Sequence, residues 1–282
     1  MPSSISLKEK DKVFPQLAAN IGVNFKFYRR NRLLLVASIF IIGVLGLSTI
    51  PALLFLSKTK HLELINIIFS ELSSFTTIIT AALGLLFISY HIRNRTTKMV
   101  FTKPCSPDVW LLSSLVSASI VSLVLFAGIF SICSILFLVW KIPFQWGIIY
   151  VTVNDFLHVT IILSYITFLA VLFHPVIAVL FIFIFHDSTF YSLKLLLAGG
   201  IKASNDGPLS LALKIAKWFV AFIYMIIPTS KPFSEKMSVI YSSLRISAEN
   251  WQYLFLAFIY TLVVTTLFYL LSLYFLKKKQ HI

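Results

Sequence analysis

The sequence predicts an all-α polytopic membrane protein with six transmembrane helices. Three observations carry that expectation. Of 282 residues, 59% are apolar and 12% charged, and the mean hydropathy is +0.92, whereas soluble domains run near half apolar and a quarter charged. The apolar residues come in runs long enough to cross a bilayer, which takes about 20 residues of helix. The formal charge of +14 sits at the ends of those runs, where it sets topology and meets lipid headgroups rather than nucleic acid. Two cysteines, Cys105 and Cys133, provide neither a disulfide scaffold nor a zinc knuckle.

The chain divides into a cytoplasmic N-terminus (1–32), a six-span domain (33–276) and a basic tail (277–282). Met1 to Pro15 is polar and reads as loose. From Phe14 to Arg32, Leu17, Ile21, Phe25 and Tyr28 recur at helical spacing beside Lys26, Arg29, Arg30 and Arg32. This is a basic amphipathic helix lying in the interface, or a charged flank to the first span. No cleavable signal peptide is expected, because the first apolar run begins only at Leu33 and exceeds an h-region.

The spanning runs are Leu33–Leu56, Ile65–His91, Val109–Trp140, Phe156–Phe173, Val176–Leu197 and Trp251–Leu276. Trp110, Trp140 and Trp251 mark three of their ends, where indole rings prefer the headgroup region. His174-Pro175 leaves almost no linker between the fourth and fifth runs. A tight hairpin fits it, since proline disfavours helix at the preceding residue; one long kinked helix is the alternative. A further run, Leu209–Ile227, contains Lys214 and Lys217 and is stopped by Pro228.

Loop charges arbitrate the topology. The N-terminus, the Arg93–Lys103 link and the Lys277-Lys278-Lys279 tail together hold fourteen basic residues, against three (Lys58, Lys60, Lys141) in the short loops opposite. The positive-inside rule then puts both termini in the cytoplasm and requires an even number of crossings. Leu209–Ile227 is accordingly read as a re-entrant or surface-lying helix within an external region, 198–250. A helical chain of this kind belongs in a bacterial-type cytoplasmic membrane, since outer-membrane proteins are barrels.

Catalytic motifs are missing. None of the nine glycines precedes a lysine, which excludes a P-loop, and there is no GxSxG elbow, HExxH helix or CxxC pair. Asn154-Asp155 has no second aspartate at helical spacing to share a magnesium ion. No cofactor is expected on this chain.

Two groups of residues stand out. The cytoplasmic link 91–109 is dense in positive charge around Met99, Val100 and Phe101. A short amphipathic helix there can dock a soluble partner; a basic loop held at anionic headgroups explains the same residues. The second group is ionisable and lies in or beside the spans. His186-Asp187 falls inside the fifth run, where a charge costs a few kcal/mol or more and usually faces inward. Asp155 and His158, three apart at the outer end of the fourth, share a helical face and suit either a substrate path or the interface. Small residues on the third run (Ser113, Ser114, Ser117, Ala118, Ser122) mark a close helix contact, with a subunit interface as one use.

In layout the chain resembles the type-2 ATP-binding-cassette exporter permeases. Phe101-Thr102-Lys103-Pro104-Cys105-Ser106, followed by Trp110-Leu111-Leu112, is similar to that family's run at the beginning of span three. Ile223-Tyr224-Met225-Ile226-Ile227-Pro228 is similar to its external element before span six, and the Lys277-Lys278-Lys279 tail to its basic C-terminus. Arg93 or Arg95 stands where the family commonly has an acidic residue, and Ser113 or Ser114 where it often has lysine. The resemblance implies a coupling helix between spans two and three, with Arg93, Arg95, Lys98, Met99, Val100, Phe101, Lys103 and Pro104 docking a separate ATPase subunit. It further implies a second permease subunit, identical or not, and ATP with magnesium on the partner. A membrane anchor or sensor that recruits cytoplasmic proteins through its basic loop is the alternative function.

Overall fold

In the computed structural model the described residues are 7–30, 39, 43, 61–93, 106–174, 177, 208–226 and 247–280. Among them are six long helices: α1 (Leu7–Arg30), α2 (His61–Arg93), α3 (Pro107–Val139), α4 (Gly147–Leu172), α5 (Pro208–Ile226) and α6 (Ala248–Gln280). In lipid the backbone must satisfy its own hydrogen bonds, so an apolar chain of this composition has helix as its natural local structure. Four of these helices, α2, α3, α4 and α6, are long and apolar enough to cross a membrane. Among the described residues the protein is all-helical, and these four helices mark it as an integral membrane protein. Leu33–Leu56 and Val176–Leu197, the expected first and fifth spans, lie outside the described residues apart from Ile39, Gly43 and Ile177.

The ends of α3 and the end of α4 have local causes. Ser106 caps α3, its hydroxyl accepting from the Val109 N–H at 3.3 Å, with Pro107 in the first turn and Asp108 beside the positive end of the helix dipole. At the other end Lys141 adopts the left-handed conformation (φ 54°). Its N–H reaches the Leu138 carbonyl at 3.2 Å and the Ile142 N–H reaches Phe137 at 3.0 Å, the pair of bonds of a Schellman stop. A short turn then starts α4. Phe173, extended at φ −115° and ψ 164°, ends α4 just ahead of the His174-Pro175 step, as proline demands. The hairpin or kink expected at that step lies outside the described residues.

Two boundaries differ from expectation. α1 begins at Leu7 and carries Pro15 inside it, so the stretch read as loose is helical from residue 7. α4 begins at Gly147 rather than Phe156. Asn154 and Asp155, which read as the polar edge of the fourth span, are 2% and 4% exposed and sit inside the helix because α2 covers them.

Packing fixes the helix directions. Ser73 of α2 meets Asp155 of α4, and Gly84 of α2 lies against Leu163, so α2 and α4 run parallel. Leu157 and Ile161 cluster with Ala257, and Phe168 meets Phe268 at 5.5 Å and Phe275 at 6.2 Å; α4 and α6 are also parallel. α3 runs the other way, with Trp110 6.2 Å from Phe87 at one end and Trp140 stacked at 4.9 Å on His61 at the other. The ends of α2, α4 and α6 and the start of α3 therefore gather at one end of the bundle.

Candidate functional site

The gathered end is built from aromatic residues. Phe87 of α2 lies 5.8 Å from Tyr28 of α1, 6.2 Å from Trp110 of α3 and 4.5 Å from His91, and Leu276 of α6 belongs to the same buried cluster. Tyr28 is fully buried and its hydroxyl meets no partner; burial pushes its ionisation well above the usual phenol range. Asn24, buried one turn earlier, donates to the Ser117 hydroxyl at 3.0 Å. Ser117 can accept that bond because its own proton goes to the Ser113 carbonyl at 2.6 Å.

The small face of α3 is thus used within the chain. Ser113, Ser114, Ser117, Ala118 and Ser122 are all buried, with Ser117 under α1 and Ala118 clustered with Leu163 of α4. Small side chains let helices approach closely where no hydrophobic driving force operates between them.

The first turn of α3 is tied to the last turns of α6. Lys277 reaches Asp108 at 3.0 Å, and the Tyr269 hydroxyl donates to the Asp108 carbonyl at 3.1 Å. The ion pair is about half exposed on both sides, which limits it to at most ~1 kcal/mol; its use is in fixing position. Arg93 is the last residue of α2. Arg95, Lys98, Met99, Val100, Phe101, Lys103 and Pro104 lie outside the described residues, so what the structure supplies is the frame that holds the two ends of that link.

A second site lies within the bundle. The Ser73 hydroxyl of α2 donates to the Asp155 carboxylate of α4, both groups buried. Leu64, Ile68 and Leu72 of α2 and Tyr150, Val151 and Val159 of α4 belong to one apolar cluster. Asp155 lies eight residues, or ~12 Å, inside its helix. His158 is only partly buried. Along the Ser73 face of α2, Thr76 and Thr80 are fully buried and their hydroxyls unpartnered, while Thr77, only partly buried, bonds the Ser73 carbonyl at 3.0 Å. The buried carboxylate joins α2 to α4 with a directional bond, which apolar packing alone does not supply. His186 and Asp187 lie outside the described residues. Ser73 was not singled out in the sequence, since nothing in the periodicity of α2 says which of its serines faces a carboxylate 82 positions away.

Compared with known proteins, the chain matches no family model and no curated protein.

Proposed function

We propose that this chain is the transmembrane permease subunit of an ATP-binding-cassette transporter, working as an exporter. In this reading it pairs with a second permease subunit and rests on separate ATPase subunits that hold ATP and magnesium. One observation carries it: the two ends of the basic 94–105 link, the C-terminal half of α1 and the end of α6 meet in a single aromatic cluster tied by the Asp108–Lys277 pair. A push on that link acts on four helices together. ATP binding shifts such a bundle between inward- and outward-facing states only insofar as it favours one of them, and a stiff common junction is what lets a distant ATPase express that preference.

The reading includes six crossings with both termini in the cytoplasm. Its support is directional. α4 and α6 run parallel, so the chain between them has to return to the opposite end, and residues 31–60 have to make the same journey from α1 to α2. Four described spans plus two returns make an even number. The exposed Arg29, Arg30, Lys277 and Lys278 lie at the junction end and Lys141 at the other, which orients the junction toward the cytoplasm. α5 fits a surface-lying helix. Its exposed Leu211, Ile215, Trp218 and Phe219 fall on one face beside a stripe bearing Lys214 and Lys217.

The test is co-purification with a P-loop ATPase encoded beside this chain, read by vanadate-sensitive ATP hydrolysis. Charge reversal at Arg95 and Lys98 should lower both. Unchanged co-purification after reversal, or no ATPase partner at all, would instead favour an anchor that recruits other proteins.

A further inference from the structure

Among the described residues, one face of α3 is left unfilled by its neighbours. Leu112, Leu115, Val116 and Ile120 line a slot of about 320 Å³ whose opposite wall is Thr265 and Tyr269 of α6. Beyond it Phe126, Ala127 and Phe130 line a second slot of about 310 Å³, walled by Ile149 and Val153 of α4. Leu123 and Phe156 line both. The two slots thus adjoin along α3 at these two side chains and together make a track.

The lining is almost wholly apolar, and the track lies on spanning helices, so its occupant must be soluble in hydrocarbon. From Leu112 to Leu123 is eleven residues, or ~16 Å of helix, about half of the ~30 Å hydrocarbon core. The first slot is thus as long as one leaflet is deep. Its volume lies at the low end of ligand sites, roughly 300–1,000 Å³. Charge names the other half of the occupant. Tyr269, in the slot wall, bonds to Asp108, which pairs with Lys277 at the junction end, and Lys278 beside it is exposed.

We propose that this track holds one acyl chain of an anionic phospholipid from the leaflet at the Lys277 end, with the phosphate at Lys277 and Lys278. Resting on the permease reading, it makes chain-bearing anionic amphiphiles the substrate class, with Leu123 and Phe156 at the point where a chain passes from one leaflet to the other.

The experiment uses the full chain in nanodiscs, without ATPase, containing phosphatidylglycerol or phosphatidylcholine with a diazirine at mid-chain. After illumination the labelled residues are mapped by mass spectrometry. Val116, Ile120 and Leu123 should take label above the level of Leu138 and Leu262, exposed positions outside the track, and take more from phosphatidylglycerol. Leu123→Trp should clear the label from Val116 and Ile120 while leaving Leu138 and Leu262 unchanged. K277Q/K278Q should reduce the preference for the anionic lipid by about fivefold per lysine. Even labelling around α3 and α6, signifying passing bulk lipid, overturns the proposal. So does a track free of label because another helix or a second copy fills it, or equal label from the two lipids. The comparison of lipids on the unmodified chain needs no variant to fold. Since no ATPase is present, loss of the partner in the earlier test leaves this result standing, and the reverse holds too.

Discussion

Tyr28 carries both a large ring contact and an unsatisfied hydroxyl, and the two have opposite signs. Tyr28→Phe keeps the contacts with Phe25, Phe27 and Phe87 and removes a polar atom that meets no partner. It should be neutral or stabilising, whereas Tyr28→Ala should cost about 3–5 kcal/mol. The pH dependence follows from the raised ionisation of the buried phenol. Below the unfolded pKa near 10 both states are protonated and the group's contribution is whole; above it the unfolded chain ionises first, so stability falls with further alkali. Tyr28→Phe should remove that alkaline loss. Cys133 supplies the measurement, since it is fully buried: in a Cys105→Ser background its reaction with a thiol dye reports unfolding in detergent. The same assay weighs Asp155. Asp155→Asn retains an acceptor for Ser73 and should change stability by less than about 1 kcal/mol, while Ser73→Ala strands a buried carboxylate oxygen and should cost about 1–3 kcal/mol. A larger loss for the asparagine than for the alanine would mean that the charge, not the hydrogen bond, is what the bundle requires.

Helix pairing depends on how closely backbones approach, and α2 lies close against α4 at Gly84. A Cβ built there lies 2.5 Å from Leu163 Cδ1, the end of a flexible but buried side chain. Gly84→Ala should therefore cost about 1–3 kcal/mol by overpacking. Leu163→Ala alone leaves a cavity, yet the pair should lose less than the sum of the two, a coupling that the Cys133 assay reads as a double-mutant cycle. This contact shows where the sequence is legible and where it is not. The apolar runs of α2, α3 and α6 mark those helices to within a few residues, because length and composition decide whether a segment spans. α4 was placed nine residues short since Asn154 and Asp155 look like a boundary when only their own helix is considered. Ser73, Gly84 and Ser117 likewise take their roles from partners 79 to 93 positions away, and the period of a single helix holds no information about that register. α1 is the converse case. Its helical spacing is plain, but its docking depends on the serine face of α3 under Asn24 and on Phe87 of α2 beside Tyr28.

At the scale of the whole molecule the decisive quantity is parity. α2, α4 and α6 point one way and α3 the other, and the end they share carries exposed Arg29, Arg30, Lys277 and Lys278. If each of the two connections 31–60 and 173–247 crosses once, the N-terminal helix, the 94–105 link and the tail all face the cytoplasm, and the turn at Lys141 faces outward. The cost of moving clustered Lys and Arg across the bilayer makes the opposite orientation unfavourable. In a background lacking Cys105 and Cys133, Lys141→Cys should react with a membrane-impermeant maleimide on intact cells. Lys12→Cys and Gln280→Cys should react only after permeabilisation. Reaction of Lys12→Cys and Gln280→Cys from opposite sides would mean an odd number of crossings, which is incompatible with the parallel packing of α4 and α6 and would overturn the six-crossing reading. Reaction of both from outside would invert the bundle and carry the basic link away from any ATP-bound partner. Only the first pattern leaves the aromatic junction where nucleotide energy is available.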